Sequence, residues 1–157
     1  MKQKITHKIR VGRTICLVDI ENCVGTSAIS PEQVEAVRLA ISRAAPNAVM
    51  KVVACSHHNA CSTMFGFIGA RVILRSGPDG ADLALLDVIE HEHVDGRFCK
   101  VIIASGDRIF APACRRLRSC GVYVEVLSLP DRLSGELAAS CSNVRYLTLS
   151  EFEFGNV

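Results

Sequence analysis

Aromatic side chains are scarce in this 157-residue chain, with 6 Phe, 2 Tyr and no Trp, or 5% in all. That scarcity excludes nucleic-acid binding through an array of stacked aromatics. Cysteine is plentiful, at 8 residues, but no two are spaced as Cys-x-x-Cys, so a zinc finger or ribbon lacks its ligand spacing. No stretch approaches the roughly 18 apolar residues of a membrane span, which leaves no membrane partner to expect. The first apolar run, Ile15-Cys16-Leu17-Val18, is cut by Asp19. It is shorter than the roughly 7–15-residue core of a secretory signal. No segment recurs at the roughly 20–50-residue period of a solenoid or propeller.

What remains is a chain with 49% hydrophobic and 22% charged residues, a composition that rules out disorder and points to one compact α/β domain with a buried core. Its net charge of +2 hides an asymmetry: Lys2, Lys4, Lys8, Arg10 and Arg13 precede Thr14 with no acid among them, leaving 13 basic against 16 acidic residues afterwards. The expected organisation is a basic arm over residues 1–13, a domain over 14–150 and a tail over 151–157. Such an arm is placed to touch phosphates, or is simply a solvated terminus. With no export signal, a cytoplasmic setting follows. Most thiols are then expected to stay reduced and to pack as small buried hydrophobes.

Strand and helix signals alternate along the chain. Short β-branched apolar runs predict strands over 14–20, 49–55, 71–75, 100–105, 122–127 and 144–149. Ser30-Pro31-Glu32-Gln33 carries an N-cap, a proline at N1 and a glutamine at N3, so a helix starts there and ends at Pro46. Further helices are expected over 59–68, 81–93, 110–119 and 134–140. Strands separated by helices imply right-handed crossovers and a parallel sheet covered on both faces. In such sheets ligands bind beyond the carboxyl ends of the strands, where strand order reverses.

Those ends carry acids. The first strand runs into Asp19-Ile20-Glu21-Asn22, the fourth into Ser105-Gly106-Asp107. Placed side by side, the two strands bring their ends about 4.8 Å apart. In the helix over 81–93, Asp82 shares the stripe of Leu85, Leu86 and Ile89, which faces the sheet. An inward acid without a partner is costly, so a cation shared with Asp19 and Asp107 satisfies it; the helix's own amides are the alternative. Oxygen-only ligands favour Mg²⁺ or Mn²⁺ over zinc. A hydrated ion there suits metal-assisted chemistry on a phosphodiester, with RNA and DNA equally open.

Val18-Asp19-Ile20-Glu21-Asn22, Gly80-Ala81-Asp82-Leu83-Ala84-Leu85, and Ile103-Ala104-Ser105-Gly106-Asp107 with Phe110 and then Gly121-Val122-Tyr123-Val124 follow in order over about residues 14–128. Together they resemble the motifs of NYN-domain nucleases, a branch of the PIN-like superfamily. The resemblance implies a single-domain PIN-like, Rossmann-like fold, hydrolysis of RNA, and a Mg²⁺ or Mn²⁺ ion held by Asp19, Asp82 and Asp107 as metal-binding and catalytic residues. It also implies that Asn22 orients a ligand, water or phosphate. Two departures stand out. Ile109 occupies the second acidic position of the late Ser-Gly-Asp-x-Asp-Phe motif, and Asp79 replaces a lysine often found three residues before the central Asp. The first opens the alternative of a catalytically degenerate nucleic-acid-binding or regulatory protein. The second is read as turn decoration.

Smaller signals complete the expected site. Ser105, Arg108 and Asn59 are expected to contact substrate, Arg108 as a cation for the scissile phosphate and Asn59 with Ser56, His57 and His58 along the crevice edge. The plain alternative for that edge is a helix N-terminus with solvated imidazoles. Asp87 is expected to pair with His91, and Arg132 to line the rim. Arg115, Arg116 and Arg118 cannot all share one helix face. A phosphatase built on another Rossmann-like plan needs Asp-x-Asp after the first strand, and position 21 is Glu. The expected partner is RNA, single-stranded or structured, with a homodimer left open.

Overall fold

Alternation along the first strand, β1 (Thr14–Asp19), splits its side chains between two cores: Ile15 and Leu17 point to one face, Cys16 and Val18 to the other. A strand buried on both faces is the mark of a parallel sheet covered by helices. A computed structural model describes residues 12–149. The expected basic arm, apart from Gly12 and Arg13, and the 151–157 tail lie outside the described residues.

After β1 come α1 (Ile20–Val24), α2 (Pro31–Ala44), β2 (Met50–Cys55), α3 (Ala60–Gly66), β3 (Arg71–Leu74), α4 (Gly80–His91), α5 (Val94–Arg97), β4 (Lys100–Ala104), α6 (Ala111–Ser119), β5 (Tyr123–Ser128), α7 (Gly135–Ser140) and β6 (Asn143–Tyr146). Single 3₁₀ turns lie at His57–Asn59, Arg108–Phe110 and Pro130–Arg132. Helix α2 begins as its sequence requires: Ser30 accepts the Gln33 amide while Gln33 reaches back to the Ser30 amide. The helix expected over 59–68 is shorter. It stops at Gly66, because Phe67 turns into the core and Gly69 makes the turn at φ +87.

All strand pairs are parallel, in the order β3-β2-β1-β4-β5-β6. The fold is therefore the expected α/β parallel sheet with helices on both faces. Helices α4 and α6 bury Leu85, Ile89, Cys114 and Leu117 on one face, and α2 buries Val34, Val37 and Ile41 on the other. Five of the eight cysteines, all free, are buried among these apolar side chains. Strand order reverses between β1 and β4, whose register sets Val18 beside Ala104. Asp19 and Ser105 thus leave the sheet next to each other, at the mouth of the crevice that this reversal opens.

Candidate metal centre

Two backbone turns aim the acids of the central strands. Asp19 ends β1 in an extended conformation and caps α1, its Oδ1 accepting the Asn22 amide at 3.3 Å. Asn22 Oδ1 in turn accepts the Gly106 amide at 2.9 Å, tying the end of β1 to the loop after β4. At Gly106 a Cβ would lie 2.2 Å from the Arg132 carbonyl oxygen and 2.5 Å from Ser128 Oγ, so only glycine lets the two loops meet. Asp107 follows, its amide donating to Ser105 Oγ at 3.2 Å and its Oδ1 accepting the Ile109 amide at 2.9 Å. Asp19 and Asp107 are both caps, each spending a carboxylate oxygen on a backbone amide, and Asp19 also bonds Asp82.

The third turn precedes α4. Asp79 takes a left-handed conformation, φ +54, which costs a non-glycine residue backbone strain, and its side chain makes no capping bond. Its carboxylate instead joins those of Asp82 and Asp107, with one oxygen from each lying within 4.8 Å of the others. Gly80 is pressed against the Arg75 carbonyl oxygen, which would lie 2.6 Å from a Cβ there. Asp82 occupies the first turn of α4, only 6% exposed, and its Oδ1 has no hydrogen-bond partner. Burial drives its carboxyl up to about 9, helped by the bond it shares with Asp19 and by the charges of Asp19, Asp107 and Asp79. Burial likewise raises Asp19, against the pull of its bonds with Asp82 and the Asn22 amide. A bare carboxylate cluster must take up protons or a cation. The partnerless Asp82 oxygen and the all-oxygen donor set fit a hard divalent ion.

The surrounding cleft, about 280 Å³, is lined by these four aspartates, Glu21, Asn22, Ser56, Arg132 and the glycines of the loops at 25, 77 and 80. Its volume lies at the lower edge of the roughly 300–1,000 Å³ of small-molecule sites. A family model, NYN domain, matches residues 13–149. The chain belongs to the NYN-domain family. No curated protein matches it. Among solved structures, a protein of unknown function from Vibrio parahaemolyticus, VPA0982, superposes with a TM-score of 0.63 at 18% identity, covering 87% of this chain and 93% of that one, a likeness of fold. Family and geometry together give a nuclease-like fold with an acidic cluster at its sheet crevice.

The structure places three expected substrate contacts of this NYN domain, Asn59, Ser105 and Arg108, outside the cleft lining. Asn59 is buried: its Oδ1 accepts the Ile29 amide and its Nδ2 donates to Glu21 Oε1 and the Ser27 carbonyl, both at 2.8 Å. Ser105 is fully buried and holds the Asp107 amide. Arg108 is exposed and lies outside the cleft lining. Asn22 does line the cleft, but its carbonyl oxygen is committed to Gly106. Asp79, read from sequence as turn decoration, stands in the carboxylate group with Asp82 and Asp107, while Asp19 joins through Asp82. Glu21 is pinned by the Ser56 amide at 2.7 Å, Ser56 Oγ and Asn59. Of the arginines on α6, Arg115 and Arg118 reach Ser140 of α7, which leaves Arg116 outside that contact.

Proposed function

We propose that this NYN domain is a metal-dependent endoribonuclease whose ion is held by Asp79, Asp82 and Asp107, with Asp19 bonded to Asp82 in the same cleft lining. The observation that carries the reading is the buried Asp82 oxygen left without a partner inside a group of carboxylates. When bound, Mg²⁺ or Mn²⁺ supplies activation of water and neutralisation of phosphodiester charge. The protein's own part is positional. Asn22 locks the loop that carries Asp107, and Gly106 allows that loop to close on residues 128–132. Glu21, held by three hydrogen bonds, fixes the edge at Ser56. The choice of RNA as substrate is supported by the family resemblance of the motifs.

The test is cleavage of labelled single-stranded RNA by the purified protein with Mn²⁺ and with EDTA. Cleavage is expected only with the ion, and Asp82→Asn or Asp107→Asn should lower the rate by about 100-fold or more. Cleavage that survives in Asp107→Asn rejects this site. One observation favours a second reading, a degenerate nucleic-acid binder: Ile109, where a further acid is expected, packs against the core cluster and brings no carboxylate to the cleft. Tight RNA binding with no product at any Mn²⁺ concentration selects that reading.

A further inference from the structure

Among the described residues, five carboxylates and one cationic side chain line the cleft, and the cation is Arg132. A phosphodiester approaching so many acids is repelled even after one divalent ion has offset part of their charge. Some group at the rim must favour the anion, and the side chain expected to do so from sequence, Arg108, lies outside the lining. Arg132 stands where that group is needed. Its 3₁₀ turn follows β5, and its backbone carbonyl is the one that packs on Gly106, immediately before Asp107.

The guanidinium is exposed and tethered at one point. Its Nη2 donates to the Gly25 carbonyl at 2.6 Å, across 107 residues of sequence. Gly25 closes α1 in the left-handed conformation at φ +85, and a Cβ there would lie 3.1 Å from Arg132 Nη2 and 3.4 Å from both Cζ and Nε. Glycine is therefore needed twice over, for the turn and for the contact with the guanidinium. Among the described residues no carboxylate pairs with Arg132, and Nη2 to the Gly25 carbonyl is its one side-chain bond. An exposed arginine tethered by one bond and with donors to spare is suited to a phosphate oxygen pair, since the guanidinium fork matches that geometry.

We infer that Arg132 is the substrate-positioning clamp of this site, holding a backbone phosphate of the RNA at the rim while the aspartates face the ion. The inference rests on the nuclease reading above. It is tested on the full chain with a short fluorescein-labelled single-stranded RNA and Mn²⁺, over a series of salt concentrations, for wild type, Arg132→Lys and Arg132→Ala. Arg132→Ala should raise KM by about 10-fold or more while kcat falls much less. The slope of log KM against log salt should shrink by about 0.7, the loss of one phosphate contact on a single strand. Arg132→Lys should keep the salt slope and recover part of the KM. Mn²⁺ affinity by calorimetry and the melting temperature should match wild type in both variants.

An unchanged KM and salt slope in Arg132→Ala overturns the clamp and leaves the nuclease reading standing. So does a loss that simply follows a lowered melting temperature or Mn²⁺ affinity. If wild type does not cleave, the nuclease reading fails on its own, and anisotropy with the same RNA decides the clamp. Binding that Arg132→Ala weakens with the same change in salt slope supports it. Binding that is absent in wild type, or unaltered in the variant, overturns it.

Discussion

At the scale of single residues, the proton on Asp82 is the most informative. Its carboxyl is raised from an ordinary 3.8 to about 9, so in the metal-free protein the folded state keeps a proton that the unfolded chain releases above about pH 4. Stability contributed by that proton is complete below the unfolded value and is lost as pH rises toward about 9. The melting temperature of metal-free protein should therefore fall between about pH 5 and pH 9, and Asp82→Asn should flatten the decline. Because an ion displaces the proton, Mn²⁺ should raise the melting temperature more at about pH 8.5 than at about pH 5.5; an equal rise at both would contradict the shared site. Gly106 gives a second residue-scale prediction. Gly106→Ala sets a methyl 2.2 Å from a carbonyl oxygen, so calorimetry should show a loss of about 1–3 kcal/mol together with weaker Mn²⁺ binding.

The residue scale is also where the sequence was hardest to read. Asp82 was legible because an acid on an apolar helical stripe is an anomaly that demands a partner. Asp79 was not, because Pro78-Asp79-Gly80 is ordinary turn chemistry and nothing in a sequence shows that an aspartate will adopt φ +54 and turn its carboxylate away from capping. Asn59 and Ser105 look like solvent-facing polar residues at strand ends. Their burial follows from backbone amides, at Ile29 and Asp107, that need acceptors where the loops fold over.

At the scale of elements, the strands and the long helices were visible from apolar runs and caps. The short helices α1 and α5 were not, since five and four residues are too few for a helical period. Edge strand β6 owes its place to charge as well as to pairing. Its Arg145 donates through Nε to Glu125 on β5 at 2.7 Å and through Nη2 to the Ala44 carbonyl at the end of α2. Burial alone would raise the Glu125 carboxyl, but the bonds from Arg145 and Asn143 and the charge of Lys100 hold it below its usual range. Removing one partner of a buried pair costs about 3–5 kcal/mol. Here Lys100 remains 3.6 Å away and the Arg145 side chain is 41% exposed, so Arg145→Ala should cost less, about 1–3 kcal/mol. Chemical denaturation measures this, and hydrogen exchange should rise first in β6.

At the scale of the whole molecule, the order β3-β2-β1-β4-β5-β6 was legible in outline, because helices between strands dictate parallel crossovers and leave few arrangements. It is this reversal of order that gathers acids from β1, α4 and the loop after β4 around one cleft. The gathering also fixes a timetable. A growing polypeptide that has emerged only as far as α5 already carries Asp19, Asp79 and Asp82, but not the central neighbour of β1 or the fourth aspartate. During synthesis, then, an immature chain lacks part of its acidic cluster until β4 has been zipped in beside β1 and Asp107 has followed it.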